Sequence, residues 1–240
     1  MNYQRYFKSG QQLLLKVQND AKEEQQRTEL MTVFVVSLEE DSLVLSLPYG
    51  TDAVEHYPFS AGLSFEISTE VMGLGIRTTG IFEKKVDGNK FIVKLNPDLE
   101  MFQRRISQRF DCQLGVRFSR AAKTLQTMRE IWEKNIEVLH SPEAPLIFDG
   151  FKMCRINISS GGMRFTIKPP GDQGELCLVL VNLEDGNPPV CAIAEVVWVC
   201  MQDDSAVTAG MRFINILSED QQRIDSFIAK AKKIQKQTEQ

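Results

Sequence analysis

KMCRINISSGGMRFTIK occupies residues 152–168, and this stretch decides the fold of the second half of the chain. Two strand-like runs, 152–158 and 163–168, flank the Gly161-Gly162 pair, a pattern typical of a β-hairpin. Asn and Ser just before the glycines favour a turn, because their side chains hydrogen-bond their own backbone. The stretch therefore predicts two antiparallel strands joined by a tight turn.

The rest of the second half also favours strands. Further strand-like runs lie at 112–118, 175–183, 191–200 and 206–214. Residues 121–139 carry an apolar stripe at helical spacing, formed by Ala121, Leu125, Met128, Trp132, Ile136 and Leu139. Ser218 and Gln221 form a capping box for a C-terminal helix. We expect a β-barrel with a helical insert and a C-terminal helix.

The first hundred residues read as strands with almost no helix. We predict six strands, at 13–17, 30–38, 42–47, 62–68, 75–83 and 90–95. A small closed barrel would remove their exposed edges. No internal repeat is evident, so the fold class is mainly β, with two small β-barrels whose N-terminal member is split-barrel-like.

Composition excludes several classes of function. The chain of 240 residues has 42% hydrophobic residues and a net charge of −4, without the surplus of Lys and Arg that DNA or RNA binding needs. No apolar run approaches the ~20 residues that cross a bilayer, and no secretory signal opens the sequence. We therefore expect a cytoplasmic protein that is not membrane-embedded. Its five cysteines are expected to be reduced and mostly buried, with no metal site.

A second motif precedes the hairpin. Arg105 and Arg109 stand four residues apart, with Arg104 directly before them. On extended chain they project to one side, and each offers a planar fork for phosphate and a flat face for a base. Taken alone, the three arginines are equally consistent with a solvated linker.

Together, the two motifs resemble those of the PilZ family of cyclic di-GMP receptors. An R-x-x-x-R segment stands ahead of a β-domain, and Asn157-x-Ser159-x-x-Gly162 follows its first strands. Residues 207–216 resemble the closing strand of the family, and the resemblance covers roughly 103–230. Residues 1–100 look more weakly like the N-terminal domain of YcgR-type flagellar brake proteins. The implied domains are 1–98 (N-terminal barrel), 99–109 (linker), 110–217 (PilZ domain, insert about 120–149) and 218–240 (C-terminal helix).

The resemblance implies a non-catalytic site for cyclic di-GMP. Arg105 and Arg109 would clasp its guanines and phosphates, and Arg104 would influence whether one or two ligand molecules bind. Asn157, Ser159 and Gly162 would hold a guanine edge. Asn157 stands where Asp is common in the family, so a charged partner for the arginines is missing. The implied protein partner is a component of the flagellar motor, with recruitment to the basal body; the chain could act as a monomer or a homodimer.

Two other functions stay open from the residues. One is a PilZ-fold adaptor that binds no nucleotide, and the other is a flavin-binding split-barrel oxidoreductase. Against the enzyme, the chain has only two histidines, His56 and His140, and neither stands beside a nucleophile or a metal cluster. Met128 and Trp132 on the predicted insert helix either pack against the barrel or anchor a partner.

Overall fold

The computed structural model describes residues 3–18, 27–50, 53–71, 74–102, 108–120, 124–141, 150–169, 171–203 and 206–238. They form two compact units. The first contains residues 1–106 with 124–126, and the second contains 107–123 with 127–240. Each unit is built around its own antiparallel barrel.

The N-terminal barrel has six strands and closes on itself. In chain order its strands are β1 (Gln12–Gln18), β2 (Arg27–Glu39), β3 (Ser42–Ser46), β4 (Ser64–Val71), β5 (Leu74–Asp87) and β6 (Lys90–Leu95). Around the barrel the order is β1-β4-β5-β6-β3-β2, and β2 pairs with β1 to complete the ring. The six strands expected from alternation are confirmed.

Alternation of side chains places one face of each strand in the core. Leu13 and Leu15 of β1, Met31 and Val33 of β2, and Phe65 of β4 are fully buried. Phe59 completes this core in the loop before β4, stacking on Phe82 and Phe91 with ring centroids 5.0 and 4.7 Å away. These packed aromatic rings fill the interior of the barrel.

Three short elements of this unit were not predicted. They are a 3-10 turn at Tyr3–Arg5, helix α1 (Ala53–His56) and strand β7 (Glu100–Phe102). β7 pairs with β5, and Gly75 faces Phe102 in that pair. A Cβ on Gly75 would lie 2.9 Å from the Phe102 ring. Gly75 thus allows close packing of β7.

The C-terminal barrel also has six strands. They are β8 (Phe110–Arg120), β9 (Lys152–Ser159), β10 (Gly162–Ile167), β11 (Leu176–Asn182), β12 (Val190–Asp203) and β13 (Ala206–Leu217). The order is β13-β10-β9-β8-β11-β12, and β12 pairs with β13 to close the ring. Its core includes Ile158, Phe165, Val179 and Phe213. The expected second barrel is confirmed.

Two longer helices lie in this unit, apart from Leu125 and Gln126 at the start of the first, and both were expected. α2 (Leu125–Leu139) buries Met128 and Trp132, and the Trp132 indole donates a hydrogen bond of 2.9 Å to the Cys191 carbonyl. Packing, the first of the two interpretations, is therefore what these side chains do. α3 (Ser218–Thr238) begins at the residue predicted to cap it and buries Ile224 and Ile228.

The cysteines are all free thiols, with unequal burial. Cys177 and Cys191 are buried, Cys112 and Cys154 are half-buried, and Cys200 near the end of β12 is exposed. Burial raises the pKa of Cys112 to about 11 and the pKa of Cys177 and Cys191 to about 12. These three thiols therefore stay protonated and unreactive at neutral pH.

Candidate functional site

The hairpin between β9 and β10 carries the second motif. Ser159 and Gly162 pair across it, leaving Ser160 and Gly161 as a two-residue turn. The buried Ser159 hydroxyl donates a hydrogen bond of 3.3 Å to the Gly162 carbonyl. The side chain of Ser159 thus stabilises the turn.

Hydrogen bonds from β13 and α3 also stabilise the turn. The Phe213 N–H of β13 donates to the Gly161 carbonyl at 3.0 Å, and the Gln221 amide of α3 donates to the Ser160 carbonyl at 3.0 Å. Both turn carbonyls are therefore engaged. These hydrogen bonds within the protein hold the turn in one conformation, so a ligand would meet a preorganised surface.

Gly162 is required by a close approach of two strands. A Cβ there would lie 2.2 Å from the Met211 carbonyl oxygen, whereas a Cβ on Gly161 would meet nothing within 4 Å. Within this structure it is the backbone of β13 that approaches Gly162.

Asn157 lies in a row of side chains on the outer face of the barrel. It pairs with Asp111 on β8 and with Arg164 on β10. Directly paired residues of an antiparallel sheet project to the same face. Arg164 forms an ion pair of 3.4 Å with Asp111. The Asn157 amide makes no hydrogen bond within the described part of the chain, so its donor and acceptor are open to a ligand.

The same row continues to an exposed tryptophan that sequence reasoning missed. Arg164 pairs with Gly210 of β13, and Gly210 pairs with Trp198 of β12. A Cβ on Gly210 would lie 2.1 Å from the indole nitrogen, so the ring rests on the glycine. Trp198 is nevertheless 42% exposed. A glycine inside a strand was the available signal, because it marks a close approach.

Arg109 lies next to this row, and the other two arginines lie outside the described residues. Arg109 is exposed and immediately precedes β8, two residues before Asp111. Phe110, the next residue, pairs with Ile158 between Asn157 and Ser159. The structure thus brings Asn157, Ser159 and Gly162 together at the hairpin, with Arg109 at the adjacent start of β8. It gives no placement for Arg104 and Arg105.

The chemistry of this face suits binding. It combines exposed guanidinium groups, an open amide and a flat indole surface. These are groups that bind phosphate, hydrogen-bond a base edge and stack on a base. No cluster of three or more metal-ligating side chains occurs among the described residues.

Comparison with known families agrees with this geometry. The PilZ domain model matches residues 103–230, just over half of the chain, and the model of an N-terminal PilZ-like domain, PilZN1, matches residues 6–103. The chain belongs to the PilZ domain family. The expected YcgR-type PilZ architecture, with a PilZ-like domain ahead of the PilZ domain, is confirmed. Neither match indicates a catalytic family. No curated protein matches the chain.

Several solved structures are similar over most of the chain. The inhibitor of motility MotI/DgrA from Bacillus subtilis is 14% identical, covering 94% of this chain and 98% of its own, with a TM-score of 0.38. YcgR from Escherichia coli in complex with c-di-GMP is 13% identical, with coverages of 94% and 86% and a TM-score of 0.37. The K. pneumonia MrkH–c-di-GMP complex is 13% identical, with coverages of 94% and 90% and a TM-score of 0.32.

Among the described residues, no helix is both long and apolar enough to span a bilayer.

Proposed function

We propose that the chain is a non-enzymatic receptor for cyclic di-GMP, which binds on the outer face of the C-terminal barrel. The observation that carries the proposal is the row of Asn157, Arg164 and Trp198, aligned by register across four strands beside Arg109. Neighbouring strands lie ~4.8 Å apart, so the row spans ~14 Å from Asn157 to Trp198. That length is suited to a flat ligand with two bases.

Each group of the row has a counterpart in cyclic di-GMP. Arg109 and Arg164 supply guanidinium forks for the two phosphates, and charge-assisted hydrogen bonds of this kind are the strong ones. The Asn157 amide can both donate to and accept from a guanine edge. The exposed indole of Trp198 offers a stacking surface for a guanine ring.

Arg104 and Arg105 belong to the proposal through the resemblance alone. Arg105 would complete the clasp with Arg109, and Arg104 would set whether one or two ligand molecules bind. The three arginines follow the last strand of the N-terminal unit, β7, and precede the first strand of the C-terminal unit, β8. A ligand held by them and by Asn157 would therefore tie the connecting segment to the second barrel.

The proposed output is a change in the arrangement of the two barrels. In the ligand-free chain, three neighbouring positive charges repel one another, and ligand phosphates would neutralise them. The size of the shift is bounded by the difference in ligand affinity between the arrangements. The receptor would act in the cytoplasm on a flagellar motor component at the basal body. Scattering profiles and inter-barrel label distances should change on saturation with cyclic di-GMP.

Calorimetric titration of the purified chain with cyclic di-GMP tests the binding proposal. Cyclic di-AMP and GTP serve as controls, since one lacks the guanine edge and the other lacks the second base. We expect saturable binding of cyclic di-GMP alone. No heat from cyclic di-GMP, or equal binding of cyclic di-AMP, would overturn the proposal and leave a PilZ-fold adaptor.

A further inference from the structure

The C-terminal barrel opens along a seam between β9 and β10, away from the hairpin turn. The two strands pair only from Ser159–Gly162 to Ile156–Phe165. Beyond this point, Lys152 and Cys154 of β9 pair with β8, whereas Thr166 and Ile167 of β10 pair with β13. The strands therefore diverge, and a gap forms in the barrel wall.

A cavity of about 520 Å³ occupies this seam. Its floor is apolar, because Val116, Phe118, Phe165 and Ile167 line it. The rings of Phe118 and Phe165 meet edge to face with centroids 5.5 Å apart. Cavities of roughly 300–1,000 Å³ with apolar walls are typical of small-molecule sites.

The rim of the cavity is cationic. Arg117, Arg120, Lys152 and Lys168 line it, and no acidic residue occurs among the described lining residues. This concentration of positive charge contrasts with the net charge of −4 of the whole chain. Arg117, Lys152 and Lys168 form no ion pair within the described part of the chain.

Arg120 is held across the gap. Its guanidinium donates a hydrogen bond to the Lys168 carbonyl and lies 5.5 Å from the centroid of the Phe118 ring. One cation is thus fixed directly above the aromatic floor. The Arg120 side chain is therefore already ordered, so binding of an anion would not cost the entropy of ordering it.

We propose that the seam cavity binds an organic anion. The ligand has an apolar body, which lies on Phe118 and Phe165, and a carboxylate or phosphate head, which Arg120, Lys152 and Lys168 hold. The site shares no residue with the proposed nucleotide face: Lys152 lies five residues, or ~16 Å of strand, from Asn157 on β9, and Thr166 lies two residues from Arg164 on β10.

Fluorescence of anilinonaphthalene sulfonate, an aromatic anion, provides the first test with the full chain. Decanoate, decyl phosphate, decanol and decyltrimethylammonium, all below their micelle concentrations, compete with the probe. We expect the two anions to displace it at about tenfold lower concentration than the other two, and their order distinguishes a carboxylate from a phosphate ligand. Equal displacement by decanol or by the cation would overturn the proposal.

Charge reversal locates the head group. Lys152→Glu with Lys168→Glu should raise the decanoate concentration needed for displacement about tenfold. The control is the double variant Lys230→Glu/Lys233→Glu, at two exposed positions on α3. It makes the same change in net charge and should change the decanoate concentration needed for displacement by less than about twofold. Equal effects of the two pairs would show that the binding is non-specific.

Thiol labelling tests where the apolar body of the ligand lies. Cys154 lines the cavity and is half-buried, whereas Cys200 is exposed elsewhere and serves as an internal control. Decanoate should slow alkylation of Cys154, read by peptide mass spectrometry, and leave Cys200 unchanged. Arg109→Ala should weaken cyclic di-GMP binding but preserve this protection. Unprotected Cys154, or loss of protection in Arg109→Ala, would contradict a separate site.

Discussion

The two barrels have the same strand order and differ in the chemistry of their outer faces. The N-terminal ring runs β1-β4-β5-β6-β3-β2, and the C-terminal ring runs β8-β11-β12-β13-β10-β9, which is the same connectivity. Even one turn contact is repeated. The Leu95 N–H donates to the Asp41 carbonyl at 2.7 Å, as the Phe213 N–H donates to the Gly161 carbonyl at 3.0 Å.

The equivalent turns of the two barrels differ in charge. In the N-terminal barrel, Glu39 pairs with Ser42 around Glu40 and Asp41, so the turn is acidic. In the C-terminal barrel the corresponding turn is Ser160-Gly161. An acidic turn repels phosphate, whereas a Ser-Gly turn exposes neutral groups. The repeated framework therefore positions a site, and the residues on it decide whether a nucleotide can bind.

The rows beside these turns differ as strongly. By register, the positions of Asn157, Arg164, Gly210 and Trp198 correspond to a row made of Ser37, Val44, Ile92 and Lys84. The N-terminal row has neither an arginine nor an aromatic ring. We therefore expect nucleotide binding by the C-terminal barrel alone, and the following substitutions test that contrast.

The largest effect is expected at the arginines. Arg109→Ala, and equally Arg105→Ala, should remove charge-assisted hydrogen bonds worth ~1.5–3 kcal/mol net and weaken cyclic di-GMP binding about ten- to over a hundredfold. Calorimetry measures the change. Lys84→Ala, at the N-terminal position equivalent to Trp198, is the control and should bind as the wild type does. Wild-type affinity in both arginine variants would refute the site.

Trp198 should contribute nearly as much. Trp198→Ala removes a stacking surface worth ~1–3 kcal/mol per base, which is about five- to a hundredfold in Kd. The exposed Met201 on the same strand provides a control, since Met201→Ala removes a side chain outside the row. If Trp198→Ala bound as tightly as Met201→Ala, the row would not be the ligand surface.

The third prediction concerns the stability of the turn. Gly162→Ala should lower the free energy of unfolding by ~1–3 kcal/mol, because its Cβ would overlap the Met211 carbonyl. Gly161→Ala meets open space and should change stability by less than ~0.5 kcal/mol. Urea denaturation compares the two. The N-terminal barrel has Ser42 at the equivalent position, so the restriction is particular to the second barrel.

The smallest effect is expected at Asn157. The sequence alone suggests that Asn157→Asp would keep or tighten binding by restoring a charged partner for the arginines. The structure places Asp111 directly opposite, and facing carboxylates cost ~0.2–1 kcal/mol. We therefore expect Asn157→Asp to tighten binding only when it is combined with Asp111→Asn. Tighter binding by the single variant, with no further gain in the double variant, would show that Asp111 exerts no such influence.

The sequence predicts the fold and part of the site, for identifiable reasons. Alternation of polar and apolar residues in β4 is enough to identify that strand, and the spacing of Asn157, Ser159 and Gly162 identifies the hairpin. Trp198 was missed because it joins the row only through Gly210 of β13, and the pairing of β13 with β10 depends on register between strands far apart in sequence. Arg164 pairs with Asn157 within the hairpin, so the register of the turn could have identified it.

The repeated topology was missed for a related reason. Strand order is a property of pairing, and the two barrels achieve it with different side chains at matching positions, such as Lys84 against Trp198 and Ser42 against Gly162. The sequence showed no repeat because the similarity lies in the connectivity. Similarly, the β9–β10 seam follows from where a hydrogen-bond ladder stops, which no residue pattern reveals.

Hydrogen–deuterium exchange of the full chain with and without saturating cyclic di-GMP tests the central claim most directly, because both barrels are measured in one experiment. We predict slower amide exchange in peptides covering Arg109–Asp111, the turn from Asn157 to Arg164 and the strand around Trp198. The equivalent N-terminal peptides, around Ser37–Val44 and Lys84, should be unchanged. Protection of the N-terminal turn, or none at the Asn157–Arg164 turn, would contradict the account.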